Sequence, residues 1–138
     1  MTLAIHLRVV GILLVLLGLS HAFFSRYFGW ERELAEVSLL TRQIFFVHSF
    51  FIALGVVLGG AGSFLCADAL LRPGSLSRTL LAAMTVFWLC RLLAQFFAYD
   101  TLIWKGDRFR TLMHAGFSAL WIYVTAVYGI ALATVWGR

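Results

Sequence analysis

The chain has 138 residues, 62% of them hydrophobic and 12% charged, with a mean hydropathy of +0.95. A soluble globular domain is roughly half apolar and about a quarter charged, so this composition excludes one and points to a single domain with a lipid-facing surface, where ions find no solvation. The net charge of +5 is carried by scattered Lys and Arg rather than by a basic run, which fits loop topology and headgroup contact and argues against a nucleic-acid partner.

Four apolar stretches follow one another, each about 20 residues or longer, the length a helix needs to cross the hydrocarbon core. The first covers about residues 3–24 and contains the unbroken run Gly11-Ile-Leu-Leu-Val-Leu-Leu. A membrane barrel strand alternates polar and apolar residues, so this run predicts a helix. Arg8, the apolar run and Ser20-His21-Ala22 roughly imitate a signal peptide, but the segment is read as a helix. In the connection 25–42, Trp30, Leu34, Val37 and Thr41 recur at helical spacing with Glu31, Arg32, Glu33 and Glu36 between them. That pattern predicts a short amphipathic helix over about 27–41, lying on the membrane surface and anchored by Tyr27, Phe28 and Trp30. The alternative is an extended first turn of the second span.

The second stretch, about 43–71, is longer than a bilayer requires and should tilt or project. Arg72-Pro73-Gly74-Ser75 predicts a tight turn, with Ser77 as a helix cap. The third stretch covers about 79–98, a charged connection around Lys105-Gly106-Asp107 follows, and the fourth covers about 111–136. Cys66 and Cys90 fit no zinc pattern. They fall at different expected depths, which argues against a disulfide and for a role as small packing residues. The expected fold is therefore all-α: an integral membrane, antiparallel bundle of four transmembrane helices, with a short interfacial amphipathic helix between the first two. Outside the spans, Arg26, Arg32, Arg42, Lys105, Arg108 and Arg110 lie on one side, and Arg8, Arg72, Arg78 and Arg138 on the other. The balance favours the 25–42 and 99–110 connections as cytoplasmic and both termini as outside, in a plasma or inner membrane.

In an antiparallel bundle the end of span one, the start of two, the end of three and the start of four share a membrane side. His21, His48, Arg91, Gln95 and His114 therefore fall in one layer, one to two turns deep. Gly11, Gly18 and His21 share a face of the first helix, and His48, Gly55, Gly59, Gly62 and Cys66 share one of the second. Small residues mark close helix packing in membranes, so both histidines are expected to point inward. Met84, Trp88, Arg91 and Gln95 align on the third helix, and His114, Ser118, Trp121, Thr125 and Tyr128 on the fourth. Arg91 is the most costly of these, on the order of 2.5–3.5 kcal/mol near the middle of a span. Asp100, Asp107, Glu36 or an anionic ligand are the candidate counterions, and snorkelling to lipid phosphate is the bland alternative.

Three chemistries suit the cluster. His21, His48 and His114 could ligate zinc or copper. Two imidazoles could hold haem iron, with Arg91 or Arg42 on a propionate. Arg91, Gln95 and a histidine could bind a quinone headgroup between aromatic walls. No HExxH or similar motif is present. Nucleophilic catalysis has weak support, since Ser49 points about 100° away from His48 and Cys90 sits in an apolar span. The functional expectation is a small membrane protein that binds a redox cofactor, metal or quinone at this cluster, with electron transfer as the consequence. The competing class is a non-catalytic subunit or scaffold, with a homo-oligomer or larger membrane complex as partner. A transporter is disfavoured because the polar groups occupy one end only.

Overall fold

A computed structural model describes residues 2–27, 29–100 and 106–137, with the backbone alone at 24–26 and 31. Phe28, expected to anchor the interfacial segment, and Lys105 and Arg138, used in the charge balance, lie outside the described residues. Among the described residues the chain is entirely helical: α1 (Thr2–Tyr27), α2 (Trp30–Glu33), α3 (Leu39–Leu65), α4 (Ala67–Leu70), α5 (Ser75–Phe97) and α6 (Arg108–Trp136). Four of these, α1, α3, α5 and α6, are long and apolar enough to cross a membrane. Even the shortest, α5 with 23 residues, reaches about 35 Å at 1.5 Å per residue, beyond the roughly 30 Å of hydrocarbon. The chain divides into two compact units, Leu7–Ala67 and Met1–His6 with Asp68–Arg138.

In the first unit, α1 and α3 run in opposite directions through a glycine contact. A Cβ at Gly11 would lie 2.7 Å from the Gly60 carbonyl oxygen and 2.8 Å from the Phe64 backbone nitrogen. A Cβ at Gly18 would meet the Val57 side chain and stand 2.9 Å from the Ala53 carbonyl oxygen. The α1 face is the expected one, but the α3 face is not. Gly55 and Gly62 meet open space, and His48 and Cys66 on their side are exposed. The packing face of α3 passes instead through Val56, Gly60 and Ser63, all buried. With glycine at 55, 59, 60 and 62, a stripe drawn through Gly59 differs from the true one by a single residue, or about 100° around the helix.

The connection between α1 and α3 also departs from expectation. Gly29, in the left-handed conformation at φ 63°, opens a helix of only four residues. Turns and a bend follow, before Ser38 caps α3 by accepting from the Thr41 N–H at 3.2 Å. The amphipathic helix expected over 27–41 is thus one turn, Trp30–Glu33, ending at Leu34, whose N–H donates to the Trp30 carbonyl at 2.8 Å. Trp30 rests edge-on against Phe45 with centroids 5.0 Å apart. The apolar stretch 43–71 starts earlier, at Leu39, and breaks at Cys66.

In the second unit, α5 and α6 form a hairpin of opposite direction, paired through Gln95 with His114, Trp88 with Trp121 and Arg78 with Val135. Leu81, Trp88 and Gln95 of α5 are buried, as are Ser118, Trp121, Val124, Tyr128, Ala131 and Val135 of α6, at the three-, four- and seven-residue intervals of one helix face. Both helices begin earlier than the apolar stretches suggest. Asp107 caps α6, its Oδ1 accepting from the N–H groups of Phe109 at 2.9 Å and Arg110 at 3.1 Å. Ser77 does not cap α5 as expected: Gly74 holds that position, and the Ser77 hydroxyl donates to the Ala69 carbonyl at 3.1 Å. At the far end of α6 from Asp107, the Arg78 Nε–H donates to the Val135 carbonyl at 3.4 Å and the guanidinium lies over Trp136. His6 Nδ1 meets the Tyr123 hydroxyl at 2.8 Å. Cys66 and Cys90 are free thiols, and both are exposed rather than packed inside.

Candidate polar site on the α5–α6 hairpin

Arg91 and Gln95 are one turn apart on α5, so their side chains stack along the same face. Arg91 Nη1–H donates to Gln95 Oε1 at 3.1 Å, and Gln95 Nε2 lies 2.8 Å from His114 Nδ1 across the hairpin. The direction of this chain follows from chemistry. Arginine has no acceptor, so the Gln95 atom facing it must be the oxygen, and the amide N–H₂ must face His114. His114 Nδ1 therefore accepts, and neutral His114 carries its proton on Nε2. Ser118 leaves the imidazole alone: its hydroxyl donates to the His114 carbonyl at 2.7 Å.

Beneath this chain is an aromatic stack. The Arg91 guanidinium carbon lies 4.7 Å from the centroid of a Trp121 ring, a cation–π distance. Trp121 stacks on Trp88 at 5.3 Å and 14° between planes, and on Phe117 at 6.0 Å and 16°. Phe96 meets His114 edge-on. Trp88 and Trp121 are 3% and 4% exposed, and their indole N–H groups, like the Thr125 hydroxyl, are buried without a hydrogen-bond partner among the described residues. An unpaired buried donor costs roughly 1–3 kcal/mol, so this stretch holds more donors than the described residues satisfy.

Among the described residues Arg91 has no carboxylate partner. Asp107, one expected counterion, is committed to the α6 cap and to Arg110 Nε at 3.3 Å. Asp100, another expected counterion, does not pair with Arg91 either, and Glu36 belongs to the α1–α3 unit.

Of the residues singled out by sequence, the structure joins Arg91, Gln95 and His114 into one hydrogen-bonded chain. His21, His48 and Arg42 belong to the α1–α3 unit. There the Nδ1–H of His21 donates to the Leu17 carbonyl and that of His48 to the Ile44 carbonyl, each at 2.8 Å. Such a bond to backbone leaves Nε2 as the acceptor nitrogen, the form a metal ligand takes, and it is equally how a lone helical histidine satisfies itself. His21 is half-buried and His48 exposed, while Arg42 is half-buried in the first turn of α3. Within neither unit do three or more described His, Cys, Asp or Glu side chains gather to hold a metal. What spacing did not reveal is the stack of Trp88 and Trp121 under Arg91. Both tryptophans lie on the aligned faces of their helices, and the cross-hairpin register is the missing information. No family model, curated protein or solved structure matches this chain.

Proposed function

We propose that this chain is an integral membrane protein, a bundle of four antiparallel transmembrane helices, that binds the polar end of a lipid-soluble cofactor or related amphiphile at Arg91, Gln95 and His114. The observation that carries this reading is Arg91: a permanently charged group within an apolar helix, held by Gln95 and Trp121, with no carboxylate partner among the described residues. Ionisable groups in such helices mark functional sites and seek partners. The site is rich in donors, so it favours a ligand that accepts, such as a quinone carbonyl or a haem propionate. A metal cation suits it less well, since the guanidinium repels it and His114 Nδ1 is already engaged. Electron transfer follows if the ligand is redox-active. The balance of Lys and Arg supports cytoplasmic 25–42 and 99–110 connections.

One observation favours a second reading, a non-catalytic subunit of a membrane complex: Gln95 uses both ends of its amide inside the chain, as a structural network would. Solvent extraction of protein purified in mild detergent separates the two. A quinone, haem or other amphiphile recovered in stoichiometric amount from the native protein, and depleted in Arg91→Gln, supports ligand binding. A colourless protein that yields no specific extract sinks it in favour of the subunit reading.

A further inference from the structure

We infer that the polar end bound at Arg91 is an oxyanion, the phosphate or carboxylate headgroup of a membrane amphiphile. The inference rests on the reading of Arg91, Gln95 and His114 as a ligand site, and it specifies what that site takes. An arginine side chain carries a full positive charge, and the neighbours of the Arg91 guanidinium are a neutral amide and the face of an indole. These supply a dipole and a quadrupole, leaving one full negative charge wanting. A neutral quinone carbonyl does not supply it, and a cation worsens the balance.

Arg91 is tethered at Nη1 by Gln95 Oε1, and its guanidinium carbon lies 4.7 Å from the centroid of a Trp121 ring, so two contacts restrict the planar fork. One Nη1–H is used by Gln95, and a guanidinium carries five N–H donors, enough to add the two parallel bonds it makes with phosphate or carboxylate. Arg91 is half-buried rather than sealed in. It precedes the end of α5 by six residues, about 9 Å along the axis, within reach of the headgroup layer for a long side chain. One turn deeper, Phe87 is 56% exposed and offers an acyl tail an apolar rest. The unpartnered N–H groups of Trp88 and Trp121 add to the donor excess of the same stretch.

The test uses the whole protein in an uncharged maltoside detergent and follows tryptophan fluorescence, since Trp121 lies directly under Arg91. The titrants are short-chain phosphatidylglycerol, the diacylglycerol with the same tails, inorganic phosphate and a decyl-substituted quinone. The inference expects saturable binding of phosphatidylglycerol only. Arg91→Gln should weaken it about tenfold or more, the factor for losing a charged hydrogen-bonding partner. Arg91→Lys, which keeps the charge and loses the fork, should fall between, and Arg72→Gln in the exposed turn should match the native protein. Equal responses to diacylglycerol and phosphatidylglycerol, or unchanged binding in Arg91→Gln, would overturn it. Saturation by inorganic phosphate with the same affinity would overturn the amphiphile as the source. Quinone binding that depends on Arg91 without phosphatidylglycerol binding would overturn the oxyanion while leaving the ligand site standing. Binding of none of the four would overturn the oxyanion headgroup, and a native protein that also yields no specific extract would remove the ligand site with it.

Discussion

The glycine contact between α1 and α3 makes a prediction in which similar substitutions have opposite outcomes. Replacing Gly11 with alanine puts a methyl 2.7 Å from the Gly60 carbonyl oxygen, where ordinary contact begins at 3.4 Å. Replacing Gly60 puts one 2.8 Å from the Gly11 carbonyl oxygen and 2.9 Å from Leu14 Cβ. The obstructing atoms are backbone or Cβ, so no rotamer change relieves them and the helices must separate by several tenths of an ångström. Overpacking of this kind costs about 1–3 kcal/mol, offset by up to about 1 kcal/mol from alanine's better helix propensity. A net loss of about 1–2 kcal/mol is expected for Gly11→Ala and Gly60→Ala. Gly55 and Gly62 have nothing within 4 Å, so Gly55→Ala and Gly62→Ala keep only the propensity term and should be neutral or stabilised by up to about 1 kcal/mol. Unfolding in mixed micelles, followed by circular dichroism, measures all four. If Gly55→Ala loses as much stability as Gly11→Ala, the helix contact is misassigned and the reasoning fails.

Two further substitutions test the α5–α6 hairpin. Trp121→Phe keeps a ring under Arg91 and against Trp88 while deleting a buried N–H that has no partner among the described residues. Its unfolding free energy should stay within about 1 kcal/mol of native, since the removed donor offsets lost contact area, and a loss of several kcal/mol would mean that the N–H is bonded. Asp107→Ala removes the cap that accepts from the Phe109 and Arg110 N–H groups. It should cost about 1 kcal/mol and raise amide hydrogen exchange in the first turn of α6, and unchanged exchange there would refute the assignment.

Much of this fold was legible in the sequence, and the parts that were not share a cause. Continuous apolar runs identify the four long helices, because length and hydropathy report directly on spanning capacity. The apolar pattern begins at Gln43, Thr79 and Thr111, later than the helices themselves, because polar residues at helix beginnings dilute it, whereas Ser38 and Asp107 begin α3 and α6 through side-chain caps. The inward faces of α5 and α6 are legible in the sequence, since Trp88 with Gln95 and Ser118 with Trp121 and Tyr128 recur at helical intervals and are buried. The face of α3 was not: four glycines within eight positions leave its register ambiguous, and only the approach of Gly11 to Gly60 settles it. For the site, spacing brought Arg91, Gln95 and His114 to one depth. It was silent on who donates to whom, because that depends on the cross-hairpin register and on the orientation of one amide.

The donor-rich character of the site follows from the order Arg91 to Gln95 to His114. Nitrogen-15 NMR of histidine-labelled protein in bilayers, with His114 assigned by difference against His114→Gln, reads it directly. The expected result is the Nε2–H tautomer of His114, with Nδ1 accepting from the Gln95 amide. A His114 protonated at Nδ1 would turn the Gln95 oxygen towards the imidazole and its N–H₂ towards Arg91, and would contradict the account.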